Sequence, residues 1–488
     1  MSSLAYDELK LGEKAKEAYI SGKSLKWIED NCAIYLNTNV SGGIAGLHTT
    51  DLVVAGVLAG MSVLVGGQYG SGKSQLATDI YRHIFGGPKL DGGEGVIIDV
   101  NPSTEIMEAT NNIYINYIGK NRDGIIAPET KLSPKVTALF HFIDEINRTP
   151  TIKQNQFYPL LNGHITHEGK KFDIGHSGYR AVMATANLGN GLYQGTFDFD
   201  PALKNRFGIV IDTNYNMFGS TEDDRGLILL LREANPGIKS APIRDISQKI
   251  IVAHNEIKAS SSALSLTEKA VLWYIEEGLR TCLKKGVDKE GELWFEECRD
   301  CSQKTDIKKP SCYFIGRPVN RTLDATRLYA ASLAFLAKLK NPDVKIDGVD
   351  LMFKSFELTA AYQPFSNPDA LQGYRGGFSR FMSDVVGTLK SDFNENRDYI
   401  MAFLESAEEG KTANFYKALN QTGHIKKGEI HMIQTISEED KAKVDAEIED
   451  RFKELKPFDE KRAIGLGWVK SRGRLMREIL ANRGKVSR

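Results

Sequence analysis

Cysteine is scarce. The 488 residues include only five, too few for the disulfide framework of a small secreted scaffold. Net charge is absent as well. The 63 Lys and Arg offset 63 Asp and Glu, so no global field draws the chain to nucleic acid or a membrane, and any such binding must come from local patches. The first twenty residues are charged and lack the apolar core of a secretory leader. The most apolar stretch, residues 52–67, is shorter than the roughly 20 residues a spanning helix needs. Broken by glycine, it reads as a buried helix followed by a buried strand. No membrane span is expected, and a cytoplasmic location is. Internal repeats and low-complexity tracts are also missing. With 41% hydrophobic and 26% charged residues, the chain is not disordered in bulk. Its length predicts two to four domains.

Five short apolar runs, at 63–65, 96–98, 139–143, 181–184 and 209–211, alternate with helical stretches. Continuous apolar runs of this kind predict an α/β fold whose parallel sheet is covered on both faces. Beyond residue 220 the apolar spacing turns helical at 227–231, 246–257, 266–279 and 322–339. The expected division is a helical lead over 1–48, a core over 49–215, and a helical lid over 216–365 with a cysteine-containing insertion at about 284–312. A helical C-terminal region over 366–488 completes it. Residues 365–376, rich in glycine, proline and aromatics, read as a linker or loop. Ser437 is a plausible N-cap, and the tail 461–488 carries nine Lys and Arg against one acid. Such a tail is either a solvated helix end or a local patch for nucleic acid, an acidic partner or a membrane surface.

The string Gly67-Gln68-Tyr69-Gly70-Ser71-Gly72-Lys73-Ser74 fits G-x-x-x-x-G-K-[ST]. Its glycines let backbone N–H groups face phosphates, Lys73 reaches the β- and γ-phosphates, and the Ser74 hydroxyl ligates Mg²⁺. A helix from Gln75 to Ile84 points its positive end at the same anion. About 70 residues on, the run 139–143 ends in Asp144 and Glu145. Acids at the carboxyl end of a parallel strand lie where ligands bind. Asp144 is expected to hold Mg²⁺, and Glu145 to orient an attacking water. His141, inside the strand, reads as a core histidine.

The run Asp144-Glu145-Ile146-Asn147-Arg148-Thr149-Pro150 resembles the D-E-I-N-R-A-P run of MoxR-type AAA+ ATPases, within the helix-2-insert AAA+ group. The resemblance extends from about residue 43 to 358. Met183-Ala184-Thr185-Ala186-Asn187 resembles the sensor-1 strand of that family, and Ala202-Leu203-Lys204-Asn205-Arg206-Phe207 resembles its L-D-R-F run. Arg321-Thr322-Leu323 falls where the lid's sensor-2 arginine is expected. The resemblance implies a P-loop AAA+ core with a five-stranded parallel sheet between helices, an all-α lid, and Mg²⁺-dependent ATP hydrolysis. Glu145, Asn187, Arg206 and Arg321 would be the catalytic set, with Arg206 a finger reaching the γ-phosphate of a neighbouring subunit. It further implies a ring, most often hexameric, chaperone-like remodelling of a protein client, and a partner bearing a von Willebrand factor A domain. Arg148 could be an interface arginine, a second finger or a solvated helix-start residue. The phosphate loop lacks the family's usual prolines, and Leu188 stands where proline often follows the sensor asparagine.

Thr149-Pro150 reads as a helix start, with threonine as cap and the helix running to about Leu161. Residues 164–174 alternate around Glu168-Gly169 and predict a hairpin. Lys170 and Lys171 there could meet nucleic acid or an acidic polypeptide, or form a solvated turn. A nucleic-acid motor resembling MCM helicases or restriction-associated ATPases is thus the alternative. Cys282, Cys298, Cys301 and Cys312 could close a Zn²⁺ site, hold an iron–sulfur cluster, or be unrelated thiols.

Overall fold

A computed structural model describes residues 47–86, 95–99, 115–122, 125–188, 197–215, 217–222, 245–282, 287–288, 311–372, 374, 377–395, 397 and 400–401. The elements up to residue 262 are, in order, α1 (Thr49–Leu58), β1 (Ser62–Gly67), α2 (Lys73–Ile84), β2 (Gly95–Asp99), β3 (Ile115–Arg122), β4 (Ile125–Leu132) and β5 (Phe140–Asp144). There follow α3 (Tyr158–Asn162), β6 (His164–His167), β7 (Lys170–Asp173), β8 (Ala181–Asn187), α4 (Pro201–Lys204), β9 (Ile209–Asp212) and α5 (Ser247–Ser262).

The five apolar runs lie in β1, β2, β5, β8 and β9. These form one sheet in the order β2-β5-β8-β1-β9, and every neighbouring pair is parallel. β8 therefore lies between β1 and β5. In register, Gly67 of β1 stands opposite Asn187 of β8, and Ile143 of β5 stands opposite Ala184. The carboxyl ends of the central strands thus meet along one edge of the sheet.

A sheet apolar on both faces needs cover, and α1 supplies part of it. All ten of its residues are buried, as expected of a helix without a polar face. A Cβ at Gly56 would lie 2.6 Å from Ile209 Cδ1 and 2.7 Å from Val63 Cγ2, so glycine is what lets α1 approach β1 and β9 this closely. From its other side, the helix Asn320–Lys340 is tied to α1. Tyr329 Oη donates to Leu52 O at 2.9 Å, Ser332 Oγ to Ala55 O at 2.7 Å, and Lys340 Nζ to Asp51 Oδ2 at 2.7 Å.

The chain forms two compact units. One takes in Met1–Ala263, Asp324–Pro364 and Phe378–Arg380, and the other Leu264–Leu323, Phe365–Gly377 and Phe381–Arg488. The stretch expected as a single lid is therefore shared: the helix Gly348–Ala360 and most of Asn320–Lys340 belong with the sheet. In the second unit, Arg317 pairs with Glu276 at 2.9 Å, and the Phe314 and Tyr374 rings meet Phe381 edge-on. Residues 365–376, expected as a linker or loop, begin inside this unit. Phe365 is buried, Ser366 bridges to Ile315, and Asn367 Nδ2 donates to Tyr313 O at 2.8 Å. Burial of the aromatic prevails here over the turn-forming glycine and proline.

Among the described residues of the first unit, two hairpins stand apart from the main sheet. β6 and β7 pair as expected, and Glu168 (φ 49°) and Gly169 (φ 73°) make the left-handed turn between them. The other, β3 with β4, has no counterpart in the sequence-level expectations, because apolar residues fall there at 115, 117, 118, 125, 126, 127 and 132 without sustained alternation. Among the described residues, no helix is long and apolar enough to cross a membrane. Ser437 and the tail 461–488 lie outside the described residues.

Candidate nucleotide and hydrolysis site

β1 delivers the chain to the phosphate loop. Gly70 (φ 74°) and Gly72 (φ 79°) take left-handed backbone, which glycine adopts without strain. Space is open where a Gly70 Cβ would stand. Gly72 is the N-cap of α2 and no side chain caps it, so the first N–H groups of the helix remain for an anion. The helix begins at Lys73, two residues before the expected Gln75.

The residues after β9 brace this loop, and none of them was singled out from the sequence. Gln68 N donates to Asn214 Oδ1 at 2.8 Å, and Asn214 Nδ2 to Leu188 O at 2.8 Å. Thr213 Oγ1 donates to Gly66 O at 2.9 Å and lies 3.2 Å from Ser71 Oγ. The signal was there: Asp212-Thr213-Asn214 is a polar triplet directly after an apolar run, at the strand end that faces ligands.

Lys73 is buried, and its ammonium donates to Gly67 O at 3.2 Å, Gln68 O at 2.6 Å and Ser71 Oγ at 3.3 Å. Burial lowers its pKa to about 8, against the opposing pull of Asp144, Glu145 and Asp212. A desolvated cation beside an uncapped helix start and an open glycine loop fits a polyphosphate. Ser74 Oγ donates to Asp144 Oδ1 at 2.8 Å, and Thr185 Oγ1 donates to the same oxygen. One hydroxyl and one carboxylate suit Mg²⁺, which takes its other ligands from phosphate and water. Among the described residues, no group of three or more His, Cys, Asp or Glu is placed to hold a metal.

Glu145 has left-handed backbone (φ 51°), sparsely populated for a non-glycine residue. Its N–H donates to Thr185 Oγ1 at 2.9 Å. Its Oε1 accepts from Asn187 Nδ2 at 2.8 Å and from an Arg148 guanidinium nitrogen at 3.2 Å, and Oε2 meets Arg148 Nε. The same guanidinium reaches Tyr69 Oη at 3.3 Å. Arg148 therefore contacts Glu145 and Tyr69 of its own chain. Asn147 exchanges two hydrogen bonds with the backbone of Asn187, Nδ2 to O at 2.9 Å and N to Oδ1 at 3.2 Å.

Gly67, Gly70, Ser71, Gly72, Lys73, Ser74, Asp144, Glu145 and Asn187 are thus assembled on one edge of the sheet. Arg206 makes its contacts elsewhere, against Ala202 O and the Tyr158 ring. Arg321 lies in the second unit, at the start of the helix Asn320–Lys340. Cys298 and Cys301 lie outside the described residues, while the backbone of Cys282 falls in a two-residue strand and that of Cys312 in a short helix. His141 is a core residue: its Nε2 lies 3.0 Å from Ala138 O, and burial lowers its pKa to about 3. The helix start at Thr149-Pro150 differs from expectation. Thr149 is buried with its hydroxyl unbonded among the described residues, and a 3₁₀ helix, Thr151–Phe157, precedes α3. Lys170 and Lys171 are exposed on β7.

No protein-family model and no curated protein matches the chain. Among solved structures, a candidate ATPase from Cytophaga hutchinsonii matches with a TM-score of 0.50 and 16% identity, over 77% of this chain and 97% of that one. Sheet, flanking helices and phosphate loop define an α/β P-loop AAA+ fold.

Proposed function

We propose that the chain hydrolyses ATP with Mg²⁺ as a ring-forming motor of the MoxR-like kind. One observation supports this most: Ser74, Asp144, Glu145 and Asn187, drawn from the ends of two strands and the start of α2 and joined through Thr185, form one hydrogen-bonded cluster beside the Lys73 ammonium. The glycines, Ser71, Lys73 and the start of α2 with Gln75 hold the phosphates. Ser74 and Asp144 hold Mg²⁺, which when bound neutralises charge on the phosphate oxygens. Glu145 polarises water, and Asn187 keeps its carboxylate in place. Arg206 supplies a cation to a neighbouring subunit, and Arg321 supplies one in cis. A hexamer acting on a protein client, with a von Willebrand factor A domain partner, is the setting that fits the MoxR resemblance.

Steady-state ATPase assays test this. Glu145→Gln should lower kcat by at least about 10²-fold while still binding ATP. Arg206→Ala should lower it by about 10³-fold, as loss of a trans arginine does. An inactive wild-type chain in the presence of ATP and Mg²⁺ sinks the proposal. The exposed pair Lys170 and Lys171 favours a second reading, a nucleic-acid motor. Strong stimulation by single-stranded or duplex DNA, abolished by Lys170→Ala with Lys171→Ala, would establish it in place of a protein client.

A further inference from the structure

Arg206 follows α4, a helix of only four residues. So short a helix has little intrinsic stability, and an arginine at its end carries a long side chain with many rotamers. A cation meant for another subunit needs a fixed direction, since each rotamer lost on engagement weakens its effect.

The structure supplies that fixation through residues with no role so far. The Arg206 guanidinium carbon lies 3.6 Å from the centroid of the Tyr158 ring, within the range of a cation–π contact. One of its terminal nitrogens donates to Ala202 O at 2.5 Å. Tyr158 is held in turn, its hydroxyl donating to Asp200 Oδ1 at 3.0 Å. That same carboxylate oxygen caps α4, accepting from Ala202 N at 2.6 Å and Leu203 N at 3.2 Å. Gln154, fully buried, joins the two segments: Nε2 donates to Thr149 O and Asp198 O, each at 3.0 Å, and Oε1 accepts from Asp200 N at 2.8 Å. Ring, cap and guanidinium form one hydrogen-bonded and stacked assembly.

We propose that Tyr158 is a positioning residue for the trans-acting cation: its ring, anchored through Asp200, holds Arg206 in the orientation that a neighbouring subunit's nucleotide requires. This rests on the assignment of Arg206 as that cation. Tyr158 is half-exposed, so its substitution leaves the core intact.

The test is subunit mixing, with ATPase activity as the readout and a thermal melt as the check on folding. Tyr158→Leu should lower kcat by about tenfold or more while KM for ATP stays within about twofold. Tyr158→Phe, which keeps the ring, should stay within about threefold of wild type. A Tyr158→Leu subunit has an intact hydrolysis site and a misplaced cation, whereas Glu145→Gln has the reverse, so mixing the two should raise activity above that of either variant alone. Failure to recover on mixing, with both variants folded and binding ATP, would place the defect in the variant's own site and overturn the proposal. So would a Tyr158→Phe loss equal to that of Tyr158→Leu, or full activity of Tyr158→Leu. Full activity of Arg206→Ala would instead remove the assignment beneath it, and is read independently.

Discussion

Lys73 is an ammonium group that has given up water for three oxygen atoms of its own loop. Its pKa of about 8, against 10.5 for the free side chain, is set chiefly by burial. A bound polyphosphate favours the charged form and raises that pKa. The sign follows: affinity for ATP is fully expressed below pH 8, where Lys73 is already charged, and weakens as pH rises above 8. Titration calorimetry at pH 8.5 in two buffers of different ionisation enthalpy should show net proton uptake on ATP binding. The Lys73→Met variant should abolish both binding and uptake, whereas pH-independent affinity from 7 to 9 would contradict the assignment. Asp212 shows the same burial in a carboxylate, its pKa raised by desolvation while Tyr362 Oη donates to it at 2.8 Å.

At the scale of elements, the β6–β7 turn places two successive residues in left-handed backbone. Nothing lies within 4 Å of a Cβ added at Gly169, so the cost of Gly169→Ala is the backbone's alone, about 1 kcal/mol. Glu168→Asn, a residue that tolerates this conformation, should regain part of it. Urea midpoints of the single and double variants check both. This turn was legible in the sequence, because the strands beside it alternate and glycine closes it. The main sheet was legible for a different reason: parallel strands covered on both faces leave continuous apolar runs. β3 and β4 offered neither sign. Glu145, Asp144 and the phosphate loop could be read from local strings, since each motif carries its own geometry. The pairing of Tyr158 with Arg206 could not, because residues 48 positions apart come together only through the capping of α4 by Asp200. Arg148 was open for a similar reason, as Tyr69 and Glu145 reach it from separate strand ends.

For the whole molecule, the proposed action of Arg206 in trans would make hydrolysis a property of the assembly. ATPase activity per subunit should therefore rise with protein concentration and then level off, and dilution should reverse it. A specific activity constant over several decades of concentration would argue for a self-sufficient subunit. Placing β8 between β1 and β5 lets Asn187 touch Glu145 while its own strand stays in register with β1, which leads into the phosphate loop. The wholly buried α1 has a different consequence, one belonging to synthesis. Leu52 and its partner Tyr329 are 277 residues apart, so at about 5–20 residues per second the ribosome delivers that cover roughly 15–55 s after the helix itself. Throughout that interval the seven-residue apolar run 52–58 of this helix is on offer to holdase chaperones and to other nascent chains, and slower translation lengthens the exposure.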